Sequence, residues 1–92
     1  MDTSKSFKID EELVCRKNQD GTIVLMKMDE SDNFYKVNGV ATEVWELLQN
    51  NVAVDEIYNL LTDKYDVTRE KIVEDTENFI ADLLKFGMVT FN

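Results

Sequence analysis

The apolar positions of this chain change their spacing near residue 38. Before it they come in short runs broken by turn formers: Leu13-Val14-Cys15, then "RKNQDGT", then "TIVLMKM" at residues 22–28. Asp20-Gly21 is a strong hairpin signal, because glycine supplies the positive φ that tight turns require. Residues 22–28 form the best strand in the sequence. One face carries Ile23, Leu25 and Lys27 and the other Val24, Met26 and Met28, so both are largely apolar. "DESDN" at residues 29–33 reads as a turn, after which Phe34-Tyr35-Lys36-Val37 returns as a second arm. The pattern predicts a meander of three short antiparallel strands. Residues 1–6 are small and polar and are expected to form a flexible N-terminus, which leaves 7–92 as the domain.

From Asn38 onward the period is helical. Ala41, Val44, Trp45 and Leu48 fall at i, i+3, i+4 and i+7, with Asn38 as the expected cap and "QNN" as the stop. A second helix shows the same spacing in Val54, Ile57, Tyr58 and Leu61, with Asp55 and Glu56 in the first turn, where the helix dipole favours acids. Trp45, Leu48, Ile57 and Leu61 are assigned to the core. Thr68 then caps a longer third helix bearing Ile72, Val73, Thr76, Phe79, Ile80, Leu83 and Leu84. Lys85 lies in its last turn and Gly87 suits the position after it. Residues 88–91 read as a short extended tail. The fold class is α+β: a three-stranded antiparallel sheet followed by three helices in one domain, similar in outline to a winged helix-turn-helix.

The third helix is apolar over a wide arc. At about 100° per residue, the stripe runs from Ile72, Phe79, Leu83 and Phe86 on one side to Val73, Ile80 and Leu84 on the other. Two readings of that width stand side by side. The helix packs on the sheet and on both other helices at once, or part of the arc is the wall of a groove.

Composition narrows the functions. Ninety-two residues with 43% apolar content support one cored domain, able to bury about 60–65% of the surface of its unfolded chain. Ten basic and nineteen acidic residues leave a net charge of −9, which repels phosphate backbones. One cysteine forms no internal disulfide, and no apolar run approaches the ~20 residues that span a bilayer. A cytoplasmic, monomeric protein without membrane or nucleic-acid partners is expected.

Candidate chemistry is sparse. The chain has no histidine, so it lacks the usual general base and the commonest metal ligand. Cys15 has no Cys–His partner and reads as a half-buried structural thiol. Asp29, Ser31 and Asn33 offer oxygens at alternate positions. A calcium loop, however, needs glycine at its sixth place and glutamate at its twelfth, where Phe34 and Val40 stand. Asp10-Glu11-Glu12 and Glu74-Asp75 read as surface charge. No catalytic residue, cofactor site or metal site is expected. A DNA-reading role for the third helix is disfavoured, because Arg69, Lys71 and Lys85 are outnumbered there by Glu70, Glu74, Asp75, Glu77 and Asp82.

The run "GTIVLMKMDESDNFYKVNGVATEVWELL" resembles the hairpin-into-helix of the PqqD family, small proteins of pyrroloquinoline quinone biosynthesis. Its marks are an aromatic strand, Phe34-Tyr35-Lys36, then Val37-Asn38, then a helix ending in Trp45-Glu46-Leu47-Leu48. The later stretch "VDEIYNLLTDKYDVTREKIVEDTENFIADLLKFGMV" resembles the family's second helix, its Tyr65-Asp66-Val67 linker and its third helix, with Asp75, Phe79, Leu83 and Gly87 in place. The resemblance covers about residues 7–90. Val37 stands where leucine is usual, and Ala53 where a capping threonine is common.

The resemblance implies a non-catalytic, PqqD-like peptide-recognition domain for ribosomally made, post-translationally modified peptides. Such a domain binds the leader of a precursor peptide as an added strand and presents it to a modifying enzyme, often a radical SAM (S-adenosylmethionine) maturase. The implied peptide-binding residues are Phe34, Tyr35, Lys36 and Val37 on the strand edge. Ile72, Thr76, Phe79 and Leu83 would line the cleft. The rival readings are a winged-helix DNA-binding regulator and a structural subunit of a larger assembly, the latter using Val24, Met26 and Met28 as an apolar patch.

Overall fold

A computed structural model describes residues 6–27 and 34–91. Its elements in chain order are β1 (Phe7–Ile9), β2 (Leu13–Lys17), β3 (Ile23–Lys27), β4 (Phe34–Val37), α1 (Val40–Gln49), α2 (Val54–Lys64), α3 (Arg69–Lys85) and β5 (Val89–Phe91). The expected meander is present as an antiparallel sheet of order β2-β3-β4, followed by the three helices. The expected turn at residues 29–33, the end of its strand at Met28 and most of the N-terminal stretch at residues 1–6 lie outside the described residues.

Two strands were not anticipated. The N-terminal β1 pairs antiparallel with the C-terminal β5, Phe7 opposite Phe91 and Ile9 opposite Val89, as a separate two-stranded sheet. The tail at 88–91 is thus extended, as read, and also paired. Phe7 is buried and its ring lies 5.3 Å from that of Phe91.

The period change seen in the sequence coincides with the start of α1 at Val40. Asn38 is not its cap. Gly39 occupies that position with φ 60°, and no side chain caps the helix. A positive φ is cheap only for glycine, so the chain turns one residue later than the side-chain chemistry of Asn38 suggests. Ala53 likewise begins α2 without a side-chain cap, whereas the Thr68 hydroxyl accepts from the Lys71 N–H at 3.2 Å. Both α1 and α3 end in Schellman geometry. At α3, Gly87 (φ 69°) donates to Leu84 and Met88 donates to Leu83. At α1, Asn51 (φ 60°) and Val52 make the equivalent bonds to Leu48 and Leu47.

One core joins these parts. Ile23, Leu25 and Val37 from the inner face of the larger sheet meet Trp45, Leu48, Ile57, Leu61, Ile80 and Leu83 from the helices. The wide arc of α3 is used largely for packing. Ile72, Thr76, Phe79, Ile80 and Leu83 are all buried, with Val73 and Leu84 partly so. Cys15 is exposed rather than half-buried, although its Sγ accepts a 3.3 Å contact from the Trp45 indole N–H.

Candidate functional site

The larger sheet has two edges, and β4 is the one beside α3. Which backbone groups it presents follows from the hairpin that closes β2 on β3. Asn18 N–H donates to the Thr22 carbonyl at 2.8 Å, and Gly21 (φ 90°) donates to Asn18 at 3.1 Å. This is a three-residue loop with glycine at the bulge position. Asn18 and Thr22 are therefore a hydrogen-bonded pair.

Bonded and non-bonded pairs alternate along an antiparallel ladder. Arg16 faces Val24 and Val14 faces Met26 in register, so Val24 and Met26 spend their N–H and C=O groups on β2. Ile23 and Leu25 turn theirs to β4, where they face Val37 and Tyr35. The N–H and C=O groups of Phe34 and Lys36 are left pointing at the open edge. An unpaired edge of this kind is a template for another strand.

Side chains alternate in the same rhythm. Tyr35 and Val37 project inward, Val37 buried and Tyr35 partly so, while Phe34 and Lys36 project outward and are exposed. The Tyr35 ring lies 5.9 Å from the Phe79 ring and 6.0 Å from that of Phe86. Its hydroxyl donates to Asp82 Oδ2 at 3.0 Å. Burial raises the Tyr35 phenol above its ordinary pKa, and the hydrogen bond to Asp82 raises it further.

Between β4 and α3 runs a groove made of two adjoining hollows. One, of 230 Å³, is lined by Tyr35, Lys36, Val37, Asn78 and Asp82 among others. The other, of 280 Å³, lies against the start of α1 at Gly39, Val40 and Val44 and reaches Thr76. Asn38, Ala41, Asp75 and Phe79 line both. The floor is apolar and the α3 rim is acidic, with Asp75 paired to Lys71 at 3.2 Å. A larger hollow of 540 Å³ lies between α1 and α2 and is lined by residues of those helices and the turn after α1.

The residues expected to bind peptide are thus divided. Tyr35, Lys36, Val37, Thr76 and Phe79 line the groove. Phe34 is on the same edge, and its side chain, like that of Lys36, is on the opposite face of the sheet. Ile72 and Leu83 are buried in the core and line neither hollow. Sequence reasoning gave Asn38, Ala41, Asn78 and Asp82 no part in binding. For Asn78 and Asp82 the only signal was their spacing with Asp75 along one flank of α3, which reads equally well as a solvated face.

Among the described residues no three His, Cys, Asp or Glu side chains gather as a metal would require. No described helix is long and apolar enough to cross a membrane. Of the three cations of α3, Lys71 pairs with Asp75, Arg69 donates to Asn59 of α2 at 2.8 Å, and Lys85 Nζ lies 6.0 Å from the centre of the Phe86 ring.

No curated protein sequence matches the chain. A solved structure described as "TbiB1 in Complex with the TbiA(beta) Leader Peptide" shares its fold, with a TM-score of 0.79 over 89% of this chain and 93% of that one, at 22% identity. The family model for coenzyme PQQ synthesis protein D matches residues 22–89, from the start of the β2–β3 hairpin's second arm into β5, and the chain therefore belongs to the PqqD family.

Proposed function

We propose that this protein is a non-catalytic adaptor that binds the leader segment of a ribosomally made precursor peptide and hands the peptide to a modifying enzyme. The observation that carries the reading is the open β4 edge beside the groove under α3. An extended peptide gains main-chain hydrogen bonds at such an edge almost regardless of its sequence. Its alternate side chains then enter the groove, where Tyr35, Phe79 and the acidic rim of Asp75 and Asp82 select among them. Family membership supports the reading, as does likeness in fold to a protein solved with a leader peptide.

The modifying enzyme, such as a radical SAM maturase, acts in the cytoplasm on a peptide held by one adaptor molecule. The adaptor contributes no reacting group, only binding and position.

The test uses backbone direction. Lys36→Pro removes one outward N–H and no bond of the sheet. Anisotropy titration of a labelled cognate leader peptide should show binding lost, while circular dichroism shows the variant folded. Tyr35→Pro removes a donor that bonds β3, and should unfold the sheet. A folded Lys36→Pro variant with undiminished affinity would refute addition at this edge.

A further inference from the structure

The face of the larger sheet turned away from the core has an order of its own. In register across the strands, Val14 stands beside Met26 and Met26 beside Phe34. All three are exposed, at 37%, 43% and 66%. The next row is Arg16, Val24 and Lys36. Among the described residues neither Arg16 nor Lys36 has an ion-pair partner. In a chain of charge −9, this face pairs an apolar row with a basic row and has no carboxylate in either. Among the described residues, Asp20 at the hairpin loop is an acid that interacts with Lys36. Its carboxyl is held low first by the Thr22 hydroxyl, then by the Thr22 N–H, and to a smaller extent by Lys36.

Phe34 and Lys36 are also the two residues whose backbone groups face the open edge. A strand that pairs there must set its own outward side chains directly beside theirs. Neighbouring side chains on one face of a sheet favour apolar beside aromatic and opposite charges side by side.

From this, resting on the leader-binding reading, we infer that the added strand is read on both of its faces. Its outward face carries a large apolar residue beside Phe34 and, two positions away, an acidic residue beside Lys36. The residue between them points into the groove. The ligand is therefore an extended segment with an acid at i±2 from a bulky apolar residue, the sign depending on strand direction. The acidic rim of the groove adds a restriction, since a carboxylate at the intervening position would meet Asp75 and Asp82.

Phe34→Ser and Lys36→Glu keep every backbone donor and alter only exposed side chains, so both should fold. Each should weaken the labelled leader about fivefold in anisotropy titrations at low salt, and added salt should shrink the Lys36→Glu effect. A lysine scan of the leader's acidic residues should yield one peptide that regains affinity for Lys36→Glu. That position should lie two residues from the apolar one whose truncation to alanine no longer matters to Phe34→Ser. If Lys36→Pro abolishes binding while Phe34→Ser and Lys36→Glu bind like the parent, outward reading is wrong and edge addition stands. Failure of every lysine substitution to restore Lys36→Glu would also overturn it. If Lys36→Pro itself binds normally, the leader-binding reading falls and this inference with it.

Discussion

The Tyr35 hydroxyl reaches across the groove to Asp82, 3.0 Å away, and is the hydrogen bond that ties the edge strand β4 to α3. A strand of four residues has little else to fix its distance from a helix. Tyr35→Phe keeps the ring contacts with Phe79 and Phe86 and deletes only this tie. It should cost about 1 kcal/mol, less than the ~1.5–3 kcal/mol of a bond to a buried charged acceptor because the site is partly exposed. Urea denaturation followed by Trp45 fluorescence measures it. The pH dependence has a definite sign. The folded phenol titrates above its ordinary value of about 10, so its contribution is complete below that value and fades as pH climbs through the raised folded pKa. The difference between parent and Tyr35→Phe should therefore be constant at neutral pH and shrink only in strong alkali.

Helix α2 begins without the capping bond that α3 has. Ala53 has φ −66° and ψ 149°, the extended conformation a capping side chain uses, as Thr68 does at φ −69° and ψ 150°. Ala53→Asp should stabilise the protein by about 1 kcal/mol, and Thr68→Ala should destabilise it by a similar amount. Thermal melts of the two variants should move in opposite directions.

Tyr58 is 4% exposed, and among the described residues its hydroxyl has no hydrogen-bond partner. Its ring packs in the core, with the Arg69 guanidinium 5.7 Å from its centroid. A buried hydroxyl without a partner loses its water for nothing. Tyr58→Phe should raise stability by about 1 kcal/mol, read as a higher urea midpoint with an unchanged slope.

The winged-helix outline invites a DNA assay, and its outcome should be negative. Five acids and three cations share α3, and phosphate recognition requires the reverse balance. Gel shifts with duplex DNA at about 150 mM salt should show no complex. Tight binding there would favour the regulator reading over the adaptor.

The helices were legible because a 3.6-residue period survives in any helix with one buried face, and Val44, Trp45, Leu48, Ile57, Leu61 and Ile80 all fell where it placed them. The strands β1 and β5 were not. Three residues such as Phe7-Lys8-Ile9 are too few for alternation to register, and their partners lie at the far end of the chain. The arc of α3 was seen to be too wide for one contact, but a helical wheel cannot say which part meets other helices. Ile72 and Leu83 went to the core for that reason, and only the Thr76–Phe79 part of the arc borders the groove. The direction of the Lys36 N–H depends on which pair closes the hairpin at Asn18 and Thr22, a matter of hydrogen-bond parity that residue types do not encode.

The pairing of β1 with β5 makes the two ends of the domain a single latch. Asp10 N–H bonds the Met88 carbonyl at 3.0 Å, and Met88 N–H in turn bonds the Leu83 carbonyl that ends α3. Strain or slack at Phe7–Ile9 is thereby passed to the last turn of the helix that walls the groove. Pairing residues this distant in sequence carries a loop-closure cost, and it fixes α3 at its C-terminal end. A tag or linker that disturbs residues 7–9 should loosen the groove from a place that never touches it, and a pair of labels at Lys8 and Thr90 would report that loosening directly.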